Sequence, residues 1–488
     1  MAGTVAKNTL YFTAASIAQK LLAFVYFLFL ARVMEPAATG QYFLALSVTT
    51  IFSTITDFGV TPVVIRDVAK FPERAKHLVR EALGYKLPFI VLAIIGAIST
   101  AYLLGYDPLV QRLVLIACLV MLADTFTLIF YGVLRGHHAL RYESLGVFIG
   151  QTCTLLAGGA TLLFYPSLPL LVLSLLVGST FNAIYSGWHV SKLLGTDALI
   201  PKLDWKPAAA LFRAALPFAL AGIFVKVYSY VDSIFISKYL GSEAVGVYSI
   251  AYKFTYAFQF LPMAFTAALY PALSAVVGRD AAASRRLFDD ALWYVLIIAS
   301  PIAFGLWAVA SDAVALAGHG YADAAPVLSI LIFVLIPIFL DFPVGSLLNA
   351  SDRQATKMAV MGVTMVINFA LNAILVPRFG IIGAAWAGVV SFTFLFVAGF
   401  FFVARVIPRY GFVELGKTAV PIIFSGLVMG ILAHLLRPVL GFVLVIPVAA
   451  VAYVVMLLLT RSLRDAHVQK ILSVLRRKPA YEDTIVHD

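Results

Sequence analysis

Apolar residues fill this chain in runs of about 20, the length an α-helix needs to cross a bilayer. Short polar clusters separate one run from the next. The runs place spans near 9–33, 39–65, 82–104, 109–134, 144–165, 168–191, 214–238, 244–271, 288–310, 325–348, 354–376, 380–404, 416–436 and 440–460. Polar positions inside them recur at helical spacing, and the ten-residue alternation of a membrane β-barrel is missing. The expected fold class is all-α, a polytopic membrane protein with 14 transmembrane helices.

A repeat organises the spans. Moved along by 206 residues, "KLLAFVYFLFLARVMEPAATGQYFLAL" falls on "KVYSYVDSIFISKYLGSEAVGVYSIAY", so that Lys20 meets Lys226, Arg32 meets Lys238, Gly40 meets Gly246, Tyr42 meets Tyr248 and Ala45 meets Ala251. Further along, Leu134 matches Leu348 at an offset larger by about eight residues, which assigns an insertion to the loop around "SDAVALAGHGYADAAP". Parallel repeats about an axis along the membrane normal are a transporter plan, with the site between the halves. The expected organisation is two pseudo-symmetric six-helix lobes, 1–200 and 201–410, two additional transmembrane helices in 411–460, and a cytoplasmic tail, 461–488. In the tail, Val468, Ile471, Leu472 and Leu475 share one helical face with cations around it, which suits a helix lying on an anionic leaflet.

Composition agrees: 62% of residues are hydrophobic and 12% charged, against about 25% charged in soluble domains. A net charge of +11 would suit nucleic acid, but the cations crowd alternate loops, with Arg66, Lys70, Arg74, Lys76 and Arg80 in one and Arg112 alone in the next. The positive-inside rule then puts both termini in the cytoplasm, and nucleic acid is excluded. The first apolar run follows only Lys7 and lacks a cleavage site, so it stays as the first helix. Cys118 and Cys153 fall inside spans, where small apolar filler is their expected role.

Ionisable groups in a bilayer core cost about 2.5–3.5 kcal/mol each and usually serve a function. Lys20 shares a helical stripe with Thr9, Thr13 and Ser16, and Lys226 shares one with Ser229, Tyr230, Ser233 and Ser237. The repeat puts the two stripes in corresponding positions, so Lys20 and Lys226, joined by Lys253, are expected to form a cationic wall lined by Ser16, Ser229, Tyr230 and Ser233. Lys86 is expected to snorkel to the inner surface, and Arg32 and Lys238 to anchor outer helix ends. Asp57, Asp124, Asp232 and Asp341 also lie in spans. Asp57 and Asp232 are preferred, as ion-coupling groups or as counter-ions to the lysines.

No His or Cys spacing holds a metal, nothing nominates a catalytic centre, and no cofactor is called for; His137 and His138 read as solvated loop residues. "GFVELGKT", Gly411 to Thr418, fits the G-x-x-x-x-G-K-T phosphate loop but opens a membrane span with no preceding strand, so it is read as a chance match.

"LARVMEPAATGQYFLALSVTTIFSTITDFGV", "VDSIFISKYLGSEAVGVYSIAYKF" and "NAILVPRFGIIGAAWAG" resemble recurrent stretches of the polysaccharide transporter family, the Wzx-like flippases of O-antigen and exopolysaccharide repeat units. That family belongs to the multidrug/oligosaccharidyl-lipid/polysaccharide exporter superfamily. The resemblance implies alternating access between two lobes and a substrate made of undecaprenyl diphosphate carrying an oligosaccharide. It also implies cations in the central cavity on the first and eighth helices, where Lys20 and Lys253 lie. A diphosphate would be drawn to the lysines on charge alone. A polysaccharide polymerase and glycosyltransferases are the expected partners, and a monomer suffices to form the cavity. The competing readings are a cation-coupled multidrug extruder of the same superfamily and, behind it, a membrane polysaccharide polymerase or ligase.

Overall fold

The computed structural model describes residues 2–202 and 205–463, with side chains from Ala15 onward except Ser16, 205–208, 210, 267 and 268. The tail helix expected beyond 463 and the side chains of Thr9, Thr13 and Ser16 therefore lie outside the described residues.

The described chain is helical, with no strand. Helices α1 (Ala2–Val33), α2 (Pro36–Asp57), α3 (Val60–Lys70), α4 (Ala75–Leu103), α5 (Pro108–Gly136), α6 (Leu140–Phe164) and α7 (Leu168–Leu194) form a first group. A second group holds α8 (Trp205–Tyr256), α9 (Phe260–Val276), α10 (Ala281–Ala308), the short α11 (Ala310–Ala315), α12 (Ala324–Leu331), α13 (Leu335–Ala350) and α14 (Gln354–Phe401). A final helix, α15 (Phe412–Leu459), packs on α10. Prolines begin α2, α5 and α7, where the missing N–H costs no intrahelical bond.

Among the described residues ten helices are long and apolar enough to cross a membrane, rather than the fourteen expected. Three long stretches pass through a glycine that leaves helical geometry: Gly241 (φ 82°), Gly380 (φ 61°) and Gly441 (φ 70°). Each falls at a boundary between two expected spans, and α1 stands outside the ten. A further break, unforeseen within the span at 39–65, comes at Phe58 (φ 39°) and Gly59 (φ 70°), which turn α2 into α3.

Each group packs internally, and the two meet along α2 and α8. At one end of α2, Gly40 lies against Gly246: a methyl on Gly40 would sit 1.7 Å from the Ser242 carbonyl oxygen, and one on Gly246 1.9 Å from that of Pro36. Gly40 and Gly246, which the sequence repeat aligns, thus meet at a contact that leaves no room for a side chain on either helix. At the other end, Gly59 approaches the Ala215 carbonyl, and Phe58 stacks on Phe89 and Phe212 with centroids 4.4 and 5.4 Å away.

The inserted loop completes the first of these junctions. Arg32 Nε donates to the Leu316 carbonyl at 2.9 Å, and the buried Tyr321 hydroxyl bonds Thr39 Oγ1 at 2.7 Å and the Met34 carbonyl at 3.2 Å. Arg32 is thus tied across the two groups, which goes beyond the interfacial anchor expected of it.

Candidate functional site

Two cavities flank α1. The first, about 590 Å³, opens inside the α1–α7 group and is walled by polar faces of α2, α5, α6 and α7: Thr49, Thr50 and Ser53, then Asp124 and Thr127, Gln151, and Ser179 with Asn182. Gln19 of α1 and Lys226 of α8 close it on the side of the second group. The second cavity, about 510 Å³, lies between α1, the chain around Phe258, α10 and α15, and its lining is apolar, with Phe24, Phe254, Met429, Phe442 and Val445 among it. Lys20 brings that wall its charge. Gln19 and Lys20, adjacent on α1, thus face different cavities.

Of the three lysines singled out by the repeat and the family likeness, Lys226 lines the polar cavity and Lys20 the apolar one, whereas Lys253 lines neither. Lys20 is exposed to the cavity space, and its charge acts on both Lys226 and Lys253. Lys253 lies 5.1 Å from the Phe27 ring centroid and 5.4 Å from that of Phe43, so rings from α1 and α2 hold the ammonium by cation–π attraction. Lys226 lies 5.7 Å from the Tyr230 ring. No carboxylate forms an ion pair with any of the three among the described residues. Like charges held together without a counter-ion make a strong anion attractor.

The acids distribute differently from the expectation. Asp232 is buried and satisfied by uncharged partners, accepting from the Tyr248 hydroxyl at 2.5 Å and the Ser233 N–H at 2.8 Å. Asp57 is the counter-ion of Lys86, 2.7 Å away, and also takes the Thr61 hydroxyl. Lys86 does not snorkel: it is 0% exposed and gives a further bond to the Thr125 carbonyl. Snorkelling fails because a carboxylate on a neighbouring helix and a free carbonyl reward the inward rotamer. Asp341 pairs with Lys357. Ser229 and Tyr230 are half-buried on α8 and Ser233 fully buried, and none lines the polar cavity. That wall is built by residues passed over in the sequence, although Thr49, Ser53 and Thr56, or Ser179 and Asn182, recur at spacings that mark one helical face.

Gly411 to Thr418 forms the N-cap and first two turns of α15, with the Gly411 N–H donating to Glu414 Oε2 at 3.0 Å. That geometry leaves no loop to wrap a phosphate. Cys118 and Cys153 are free thiols. His138 is exposed, whereas His137 is part-buried, and burial followed by the neighbouring His138 charge pushes its pKa below the ordinary imidazole value.

Two packed helical groups with cavities at their junction define a membrane transporter of the flippase and multidrug-exporter fold. The lipid II flippase MurJ in its inward closed conformation superposes on the chain with a TM-score of 0.75, covering 95% of this chain and 100% of that one at 14% identity. The profile of the family described as polysaccharide biosynthesis protein matches residues 5–277, and the chain belongs to that family. The MatE profile matches residues 217–374. Among curated relatives, the "Probable low-salt glycan biosynthesis flippase Agl15" of Haloferax volcanii is 25% identical over 403 residues, 79% of this chain and 81% of that protein. The "Probable flippase AglR" of the same organism is 27% identical over 186 residues, 37% of this chain and 38% of that protein. The relatives carry flippase names and the fold is a transporter's; neither points to an enzyme.

Proposed function

We propose that this protein is a flippase that moves a polyprenyl-diphosphate-linked oligosaccharide from the cytoplasmic to the outer leaflet by alternating access. The observation that carries the reading is the order of environments across α1: a polar cavity on one side, Lys20, Lys226 and Lys253 with no carboxylate paired to them among the described residues, and an apolar cavity on the other side. A lipid-linked glycan has the same order, with its diphosphate between sugar and hydrocarbon. The diphosphate sits at the lysines, and the start of the lipid lies along the apolar wall of α10 and α15 before leaving into the bilayer.

The moving bodies are the two six-helix lobes, residues 1–200 and 201–410, with the pair in 411–460 framing the lipid path. Positive-inside orientation puts both termini in the cytoplasm and the Gly40–Gly246 junction on the outer side, so this conformer is shut toward the outside. Asp232, held by neutral partners, is the candidate for coupling to a proton or sodium gradient. Asp57 is committed to Lys86 and has a structural role. Undecaprenyl diphosphate is the carrier in a bacterial host, the membrane is the plasma membrane, and a monomer suffices. A polymerase and glycosyltransferases would contact the same chain.

The test is translocation of a labelled polyprenyl-diphosphate disaccharide in proteoliposomes by wild type and by the triple variant Lys20→Ala, Lys226→Ala, Lys253→Ala. Loss of transport in a folded triple variant supports the reading, and unchanged transport overturns it. The MatE match and the open carboxylate of Asp124 favour a second reading, export of organic cations. Drug efflux that survives the lysine triple variant would establish it instead.

A further inference from the structure

The polar cavity has a chemical bias that the diphosphate does not explain. Three of its hydroxyls have spent their hydrogens on their own helices: Thr49 Oγ1 donates to the Ala45 carbonyl at 3.0 Å, Ser53 Oγ to that of Thr50 at 2.7 Å, and Thr127 Oγ1 to that of Ala123 at 2.9 Å. Each is left with oxygen lone pairs and no proton to offer. Asn182 is used up internally, with Oδ1 accepting from the Tyr131 hydroxyl at 2.7 Å and Nδ2 donating to the Gly178 carbonyl. The Glu143 carboxylate is taken by Arg135. Asp124 remains, exposed to the cavity and in no ion pair among the described residues. The chamber therefore presents hydroxyl acceptors and one anionic carboxylate beside the amides of Gln19 and Gln151 and the Lys226 ammonium, within a volume typical of small-molecule sites, about 300–1,000 Å³.

We propose that this chamber seats the glycan of the lipid-linked substrate, and that Asp124 sets its specificity. It favours sugars rich in O–H or N–H donors and rejects those bearing a carboxylate. The inference rests on the flippase reading and deepens it. A neutral pyranose offers several hydroxyl donors to the Asp124 oxygens and to the Thr49, Ser53 and Thr127 lone pairs. A uronic acid replaces a donor with a second anion facing Asp124, and the nearest available cation, Lys226, is engaged at the diphosphate end.

The experiment compares three lipids in proteoliposomes of the full-length chain: sugar-free polyprenyl diphosphate, the same carrier with a glucose disaccharide, and the same with a glucosyl-glucuronic acid disaccharide. Wild type is expected to move the neutral disaccharide about tenfold faster than the acidic one, because like charges brought together in a binding site are strongly disfavoured. Asp124→Asn should shrink that preference to about twofold by removing the repulsion and keeping the shape. An unchanged preference in Asp124→Asn, or none in wild type, overturns the proposal while leaving the flippase reading in place. Loss of all three transports in Asp124→Asn would make the carboxylate a coupling group and also overturn it. Failure of wild type to move any of the three sinks both readings together.

Discussion

A single methyl group on Gly40 tests how the two helical groups are held together. In Gly40→Ala the new carbon would lie 1.7 Å from the Ser242 carbonyl oxygen. That oxygen is backbone and cannot rotate away, so α2 and α8 must separate there. Overpacking of this kind costs about 1–3 kcal/mol, and only the conformer that makes the contact bears the cost. A 2 kcal/mol penalty would change the ratio of joined to separated states by about 30-fold. Spin labels on Glu35→Cys and Glu243→Cys, exposed residues beside the junction, report the separation by pulsed dipolar spectroscopy once Cys118 and Cys153 are replaced. We expect a short distance in the parent, and a longer one gaining population in Gly40→Ala and in its repeat equivalent Gly246→Ala. Gly416→Ala, a helical site with open space around it, should leave the distribution alone. Identical distributions in parent, Gly40→Ala and Gly246→Ala would refute the idea that this contact closes the junction.

Tyr321→Phe removes the hydroxyl that bridges Thr39 and the Met34 carbonyl. It should shift the same distance distribution more weakly, by about 1 kcal/mol of bonding, and raise hydrogen exchange in the loop at 316–322. Lys86→Ala leaves Asp57 without its cation and should cost about 3–5 kcal/mol of stability, read as a lower melting temperature in detergent. The swap Asp57→Lys with Lys86→Asp should recover part of that loss. Lys417→Ala, in the phosphate-loop look-alike, should leave both transport and melting temperature within error of wild type, and nucleotide-dependent transport lost in this variant would revive the motif.

Depth in the membrane was legible in the sequence, whereas direction around each helix was not. Gly241, Gly380 and Gly441 turn the chain where the apolar runs suggested ends. The loop around 311–326, to which the repeat assigned an insertion, bonds Arg32, Met34 and Thr39. Lys86 was misread because its burial depends on Asp57, 29 residues earlier and on another helix; no local pattern carries that pairing. Asp124 was noted as an acid in a span but not preferred, since successive residues turn by about 100° and only neighbouring helices decide which of those directions holds a cavity. Asp232, expected as an ion-coupling group or a counter-ion to a lysine, accepts from Tyr248, a residue on the far side of the Gly241 break.

The intramembrane ion pairs also bear on how the chain is made. Asp57 with Lys86 and Asp341 with Lys357 each join one span to the next in sequence. A lone charge entering the bilayer carries a penalty of about 2.5–3.5 kcal/mol, and a pair that forms within a two-helix unit cancels much of it before any later helix is synthesised. The hairpins that hold these pairs can thus leave the translocon with those charges already matched. Variants that break a pair should therefore show their defect first as poor membrane integration of the nascent chain.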